Sequence, residues 1–325
     1  MSPTITDVPD ILVGHSTDED GGTGCSVLLG PLAGMPCTVF VPGRALASRE
    51  LYTCRAESLA GRVDAILLTG GSAYGLAAAD GVMRWLETRG RGFSVQHGVV
   101  PIVPAAGLFD LFPCGRFDAR PTPEMGAEAC EKASKIVPEG SVGAGTGATV
   151  GKVLGPGQCM KAGIGTWSVR SGALVVGAMA AVNALGDVAD SSGTILAGAR
   201  KPEGGFVGAH SLLASGAATV SSLLSSEMSL PQTVLAVAAT NARLDRVALG
   251  GVAKAMAHAI ARRILPCSTA VDGDICFACS AGDLAVSPIQ VEELARGATE
   301  MAIERAVRMA KGRDGVPGLA DPTGS

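Results

Sequence analysis

The chain has 325 residues, of which 47% are hydrophobic and 17% charged; this supplies a large core and excludes a disordered polypeptide. Its 26 Lys and Arg against 30 Asp and Glu give a formal net charge of −4, without the basic surplus of a nucleic-acid binder. With 45 glycines in no Gly-X-Y period and 3% aromatics, a collagen is excluded and close packing on small residues is expected.

The opening segment, Met1 to His15, has no basic stretch leading into an apolar run, so it does not read as a secretory leader. The nine cysteines are odd in number and scattered, which suits thiols in a reducing cytoplasm better than a disulfide framework. Ala65 to Thr69 is a short apolar run and predicts a buried strand. Gly70-Gly71-Ser72 makes a turn into a helix over 73–88, with Leu76, Ala79, Met83 and Leu86 on one face. Ser72 is placed as in a nucleophile elbow, but the closing glycine of that motif falls on Tyr74; Ser72 reads better as a helix cap. A strand is expected over 99–103, ended by Pro104, and a helix over 124–134.

Gly143 to Lys152 is glycine-rich and invites a phosphate-loop reading. That motif needs a glycine where Thr146 stands and a Ser or Thr where Val153 stands, so a tight structural turn is the better reading. Strands are expected over 166–169 and 173–184. The apolar run Gly172 to Leu185 is too short for a membrane helix and carries Asn183. Residues 191–231 are polar without a period and read as a surface excursion. A strong strand follows over 233–240, then a helix over 245–264, a strand over 274–280 and an amphipathic helix over 291–311. The tail from Gly312 is expected to be loose. Cys276 and Cys279 form one CxxC with no second pair to complete a zinc site, and buried packing is the expectation. None of the four histidines pairs at i, i+4, and nothing positively supports a Ser-His-Asp triad. Helices alternating with apolar strands predict layers of helix on sheet in one globular domain, 1–325.

Five segments together carry a resemblance. They are Leu68-Thr69-Gly70-Gly71-Ser72-Ala73-Tyr74-Gly75-Leu76, Val99 to Ala106, Lys161-Ala162-Gly163-Ile164-Gly165-Thr166, Gln232 to Asn241, and Val271-Asp272-Gly273-Asp274-Ile275-Cys276-Phe277-Ala278. In this order the chain resembles the self-processing aminopeptidase and amidase family of L-aminopeptidase/D-esterases, β-peptidyl aminopeptidases and nylon-oligomer hydrolases. The resemblance implies a mixed α/β fold, a layered α-β-β-α sandwich of the N-terminal-nucleophile hydrolase kind, like that of ornithine acetyltransferases. It implies self-cleavage between Gln232 and Thr233 into 1–232 and 233–325. It implies a small amide or peptide substrate, a homo-oligomer of cleaved protomers, and neither nucleic acid nor membrane as partner.

The chemistry agrees with the implied cut. A freed Thr233 carries its own base, because its α-amine has a reference pKa of about 7.7–8.0 beside a hydroxyl that is a poor nucleophile alone. No cofactor or metal is needed. By the resemblance, Lys161 is the active-site lysine, Asn183 donates to the oxyanion, Asp272 and Asp274 orient the nucleophile, and Tyr74 and Phe109 lie on the substrate side. Taken singly, Lys161 also reads as a surface charge, Asn183 as a buried turn anchor and Asp272-Gly273 as an ordinary turn. The chain departs from the family pattern at Gln232, commonly Asn or Gly, at Val234, commonly Ser or Thr, and at Phe109, commonly Tyr. These bear on the rate of self-cleavage and on substrate choice. A non-processing scaffold, an acyltransferase using the same threonine, and a nucleotide-dependent enzyme using 143–152 are the competing readings.

Overall fold

Small apolar residues on both faces of consecutive strands decide the layering. Along Leu174–Asn183, Val175, Met179 and Ala181 enter one core, while Val176, Ala178, Ala180 and Val182 enter another. A strand buried on both faces reads as a continuous apolar run and must be covered on both sides. A computed structural model describes residues 2–216 and 232–322 and shows what covers them.

Two five-stranded sheets lie face to face. The first contains β1 (Leu12–Asp18), β2 (Thr23–Leu29), β4 (Ala47–Arg49), β5 (Ala65–Thr69) and β6 (Ala105–Gly107), in the order β1-β2-β5-β6-β4. The second contains β3 (Cys37–Phe40), β7 (Ile164–Ser171), β8 (Leu174–Asn183), β9 (Thr233–Ala242) and β10 (Ile275–Leu284), in the order β7-β8-β9-β10-β3. Leu28, Ile66 and Leu68 of the first sheet meet Met179, Leu235, Val237 and Phe277 of the second in a shared central core. The helices α1 (Ala78–Glu87) and α2 (Pro123–Glu131) cover the outer face of the first sheet. A six-residue helix, α3 (Ala209–Ala214), follows in chain order. The long helices α4 (Arg246–Arg263) and α5 (Pro288–Arg308) cover the outer face of the second sheet. The architecture is therefore α-β-β-α.

The local causes are plain. Asp245 caps α4 by accepting from the Ala248 N–H at 2.8 Å, and Pro288 opens α5 where its missing N–H costs nothing. The strand Ile164–Ser171 accommodates α5 at Gly165, whose absent Cβ would lie 2.2 Å from the Ala302 carbonyl oxygen. This close approach is what the high glycine and alanine content provides.

Several expectations differ from the structure. Residues 99–103 are not one strand: Gly98–Val100 belongs to a hairpin with Phe93–Val95, and the sheet strand is Ala105–Gly107. Pro101 and Pro104 lack the N–H groups a ladder needs, which displaces pairing beyond them. The 191–231 excursion begins with a strand, Ile195–Ala197, and the helix α3; its part over 217–231 lies outside the described residues. The tail is held, not loose, up to residue 322. Lys161 N–H donates to the Pro317 carbonyl at 2.8 Å, and Asp321 accepts from the N–H groups of Gly312 and Gly318 at 2.6 and 2.8 Å.

Candidate active site

The register of the second sheet brings the polar residues together. β8 and β9 are antiparallel, and their ends coincide so that Asn183 lies directly opposite Thr233. Directly opposed residues point to the same face of a sheet. Both follow the alternation of Met179, Ala181, Leu235 and Val237, so they point between the two sheets. Thr233 is 4% exposed and Asn183 fully buried.

The bond before Thr233 is held in a defined way. The Thr233 Oγ1 donates to the Gln232 carbonyl oxygen at 2.6 Å, and the Gly273 N–H donates to the same oxygen at 2.7 Å. Gly273 leaves room for the hydroxyl: a Cβ there would lie 2.8 Å from Thr233 Oγ1 and 2.3 Å from the Ala45 carbonyl oxygen. The next peptide is fixed as well, because Asp274 Oδ1 accepts from the Val234 N–H at 2.8 Å. Asp274 Oδ2 accepts from the N–H and hydroxyl of Ser268, each at 2.9 Å. Asp272 Oδ2 accepts from the N–H and hydroxyl of Thr269, at 2.7 and 2.6 Å. The two carboxylates thus pin the loop that leads into β10, and Asp272-Gly273-Asp274 runs beside the Gln232–Thr233 bond.

A lysine reaches Asn183, and it is Lys152. Its Nζ donates to Asn183 Oδ1 at 2.6 Å and to the Asn183 carbonyl at 3.1 Å. The Thr149 N–H donates to the same Oδ1 at 3.0 Å, and Asn183 Nδ2 donates to the Phe109 carbonyl at 2.8 Å. The amide is therefore oriented, which answers the cost of burying it. Lys161 lies one layer back. Its Nζ donates to the carbonyls of Gly145, Ala148 and Ala162 at 3.1, 3.0 and 2.5 Å. In the sequence the glycine-rich stretch around Lys152 reads as a broken phosphate loop, which hides this lysine. Its signal was a single charge within the otherwise uncharged stretch 141–154.

Other predicted positions fall as follows. Phe109 faces the site through its backbone carbonyl. Tyr74 is half-exposed, and the Arg120 guanidinium lies 3.6 Å from its ring centroid. Ser72 does not cap a helix with its side chain; it is the first residue of the short 3-10 helix Ser72–Ala77, at φ +54°. Cys276 and Cys279 sit on opposite faces of β10, one in each core, so the sheet separates the two thiols.

The electrostatics follow from burial. Desolvation lowers Lys152 to about 7, opposed by the carboxylates of Asp272 and Asp110. Desolvation, then the neighbouring Asp272 carboxylate, raises Asp274 to about 7. Burial raises Asp272 too, and the hydrogen bonds from Thr269 and the charge of Lys152 oppose it. A buried hydroxyl, a lysine, an amide and two carboxylates that burial raises above their ordinary range meet near one peptide bond. That is a constellation suited to acyl transfer. No group of three or more His, Cys, Asp or Glu side chains among the described residues is arranged to hold a metal.

Comparison with known proteins bears on the family and the fold. The sequence profile of peptidase family S58 matches residues 3–319. An uncharacterized aminopeptidase of Mycobacterium tuberculosis is 39% identical over 302 residues, covering 88% of this chain and 83% of that protein. A 6-aminohexanoate-oligomer endohydrolase of Kocuria sp. is 29% identical over 279 residues, covering 86% and 75%. Among solved structures, the L-aminopeptidase D-Ala-esterase/amidase of Ochrobactrum anthropi, described as a variant of the Ntn-hydrolase fold, superposes with a TM-score of 0.72 at 18% identity. That match covers 97% of this chain and 89% of the other. The β-aminopeptidase of a Burkholderia species superposes with a TM-score of 0.69 at 21% identity, covering 98% and 91%.

Proposed function

The chain belongs to peptidase family S58 and is a hydrolase of amide bonds, and from that premise we propose that it cuts itself between Gln232 and Thr233 and then uses Thr233 as its nucleophile. The observation that carries this reading is the placement of Thr233 Oγ1 against a carbonyl that Gly273 N–H already holds. In the first step Oγ1 attacks the Gln232 carbonyl carbon. The C–N bond to Thr233 breaks, the hydroxyl proton passes to the departing nitrogen, and an ester on Oγ1 remains. Water then cleaves the ester, leaving a carboxylate on Gln232 and a free Thr233 with its α-amine. The Gly273 N–H stabilises the oxygen as it gains charge; loss of one such donor costs roughly a hundredfold or more in rate.

The freed amine is the general base for turnover. Its reference pKa is about 7.7–8.0, and burial beside the Lys152 ammonium favours the neutral form. It accepts the hydroxyl proton as Oγ1 attacks a substrate amide and returns it to the departing amine. Asn183 supplies an N–H to the tetrahedral oxygen, and Lys152 and Thr149 hold its other end. Asp272 and Asp274 accept from the amine when it is protonated. Water releases the acyl group and restores Thr233. The substrate class is small amides, N-terminal peptide bonds, β-peptides and short oligoamides, in keeping with the names of the relatives. The working form in this reading is a homo-oligomer of cleaved protomers in the cytoplasm; no helix among the described residues is long and apolar enough to cross a membrane.

The test is hydrolysis of α- and β-amino-acid p-nitroanilides and of linear 6-aminohexanoate oligomers. Thr233→Ala abolishes both the self-cut and hydrolysis, and Thr233→Ser retains both. Hydrolysis at the wild-type rate by Thr233→Ala would contradict the reading.

A further inference from the structure

Asn183 is gripped at both ends of its amide, and behind each grip stands a buried charge. Its Oδ1 accepts from the N–H of the Ala148–Thr149 peptide at 3.0 Å. The carbonyl of that same peptide accepts from the Lys161 ammonium at 3.0 Å. Lys161 and Thr149 are also register partners in a short antiparallel pair, Met160–Lys161 with Thr149–Val150. At the other end, Asn183 Nδ2 donates to the carbonyl of the Phe109–Asp110 peptide at 2.8 Å. The N–H side of that peptide belongs to Asp110 itself, whose buried carboxylate is held by Gly71 N–H at 2.7 Å and Thr23 Oγ1 at 2.8 Å.

The polarity is ordered along the whole chain of groups. It runs from ammonium to carbonyl, from N–H to amide oxygen, and from amide N–H to the carbonyl of the peptide that joins Phe109 to the Asp110 carboxylate's own residue. Each charged end polarises a peptide group in the sense that strengthens its bond to Asn183. Lys161 and Asp110 are both fully buried, and neither has an ion-pair partner within 4 Å among the described residues. Burying a charge without a close counter-ion is costly, and a plain packing role needs no charge at all. Three carbonyls take the three protons of Lys161, so its position is fixed as tightly as its charge is oriented.

We propose that Lys161 and Asp110 are positioning residues for Asn183, each acting through one peptide group on one end of its side-chain amide. Together they fix which end of the amide is nitrogen and hold it where a donor to the tetrahedral oxygen is required. This rests on the reading of Asn183 as that donor. The two charges set turnover without touching the substrate, so they act on kcat and leave KM nearly unchanged.

The experiment is a double-mutant cycle on hydrolysis of an amino-acid p-nitroanilide, with rates taken per mole of cleaved protein. Asn183→Ala, Lys161→Met and Asp110→Asn are each combined with one another. Each positioning variant is expected to lower kcat roughly tenfold, a fraction of the loss on removing a donor outright, with KM within about twofold. In the Asn183→Ala background neither is expected to lower kcat further. Losses that multiply, with Asn183→Ala itself impaired, overturn this inference alone. Wild-type turnover by Asn183→Ala removes the donor role and this inference with it. For a variant that does not cut itself, the side-chain amide resonances of Asn183 are compared in the Thr233→Ala background. Asp110→Asn, nearly isosteric, is expected to shift both Nδ2 protons; unchanged resonances contradict the proposal.

Discussion

Gly273 lies beside the bond between Gln232 and Thr233 and has two duties there: its N–H holds the Gln232 carbonyl oxygen at 2.7 Å, and its missing side chain leaves space for Thr233 Oγ1. A Cβ would press on that hydroxyl and on the Ala45 carbonyl. Gly273→Ala is therefore expected to destabilise the chain by about 1–3 kcal/mol and to slow self-cleavage at least tenfold, read by denaturing gel over time. Lys152→Met tests a different role. It removes a donor to Asn183 Oδ1 and a cation whose burial is costly. Turnover is expected to fall roughly a hundredfold, while stability in urea stays within about 1 kcal/mol or rises. Asp274 supplies a pH test. Its carboxyl is held at about 7 in the fold, above its ordinary range, so the folded state binds the extra proton. That contribution is complete below about 4 and is lost as pH rises through about 7. In the Thr233→Ala background, stability measured by urea unfolding is expected to fall over that window. Asp274→Asn should reduce that slope, Asp272 and Asp110 contributing the remainder, and an unchanged slope contradicts the assignment.

The elements that carry the site were legible to different degrees. The strands β8, β9 and β10 are buried on both faces, and their apolar runs stand out in the sequence. β1 and β2 did not, because Gly14, Ser16, Thr23, Gly24 and Ser26 take buried positions beside the apolar ones and break the pattern. At Gly14 of β1 a Cβ would lie 1.9 Å from the Ala129 carbonyl oxygen of α2, so the helix chooses glycine where a strand pattern would show an apolar side chain. Thr233, Asn183, Asp272 and Asp274 were legible through the family resemblance, and the structure places them around one bond. Lys161 and Lys152 lie only nine positions apart, and the sequence does not say which ammonium reaches the amide; that depends on the pairing of Met160–Lys161 with Thr149–Val150, a tertiary fact. The helix pair has its own test. Arg263 of α4 donates to Glu304 at 3.0 Å and to Glu300 at 2.6 Å on α5, and all three are nearly buried. Arg263→Ala leaves Glu300 with Arg262 at 2.7 Å and Glu304 with Arg308 at 3.6 Å as their remaining cations. Loss of the charged hydrogen bonds of Arg263 is expected to cost about 1–3 kcal/mol in urea unfolding, with kcat of the folded fraction unchanged.

At the scale of the molecule, the proposed cut falls at the edge of an interior strand. β9 lies between β8 and β10, and its side chains enter both the central core and the outer core under α4 and α5. A chain severed before Thr233 keeps all of these contacts, so 1–232 and 233–325 are expected to migrate together in native chromatography and to part only in denaturant. The cut changes one residue's chemistry and leaves the sandwich that holds it intact. The most direct measurement is the intact mass of the purified chain under denaturing conditions, taken at once and again after days at neutral pH. Two species are expected, the smaller beginning Thr-Val-Leu-Ala-Val, and a single uncut species for Thr233→Ala. A wild-type chain that remains whole throughout, or one cut at another bond, would contradict the proposed cut.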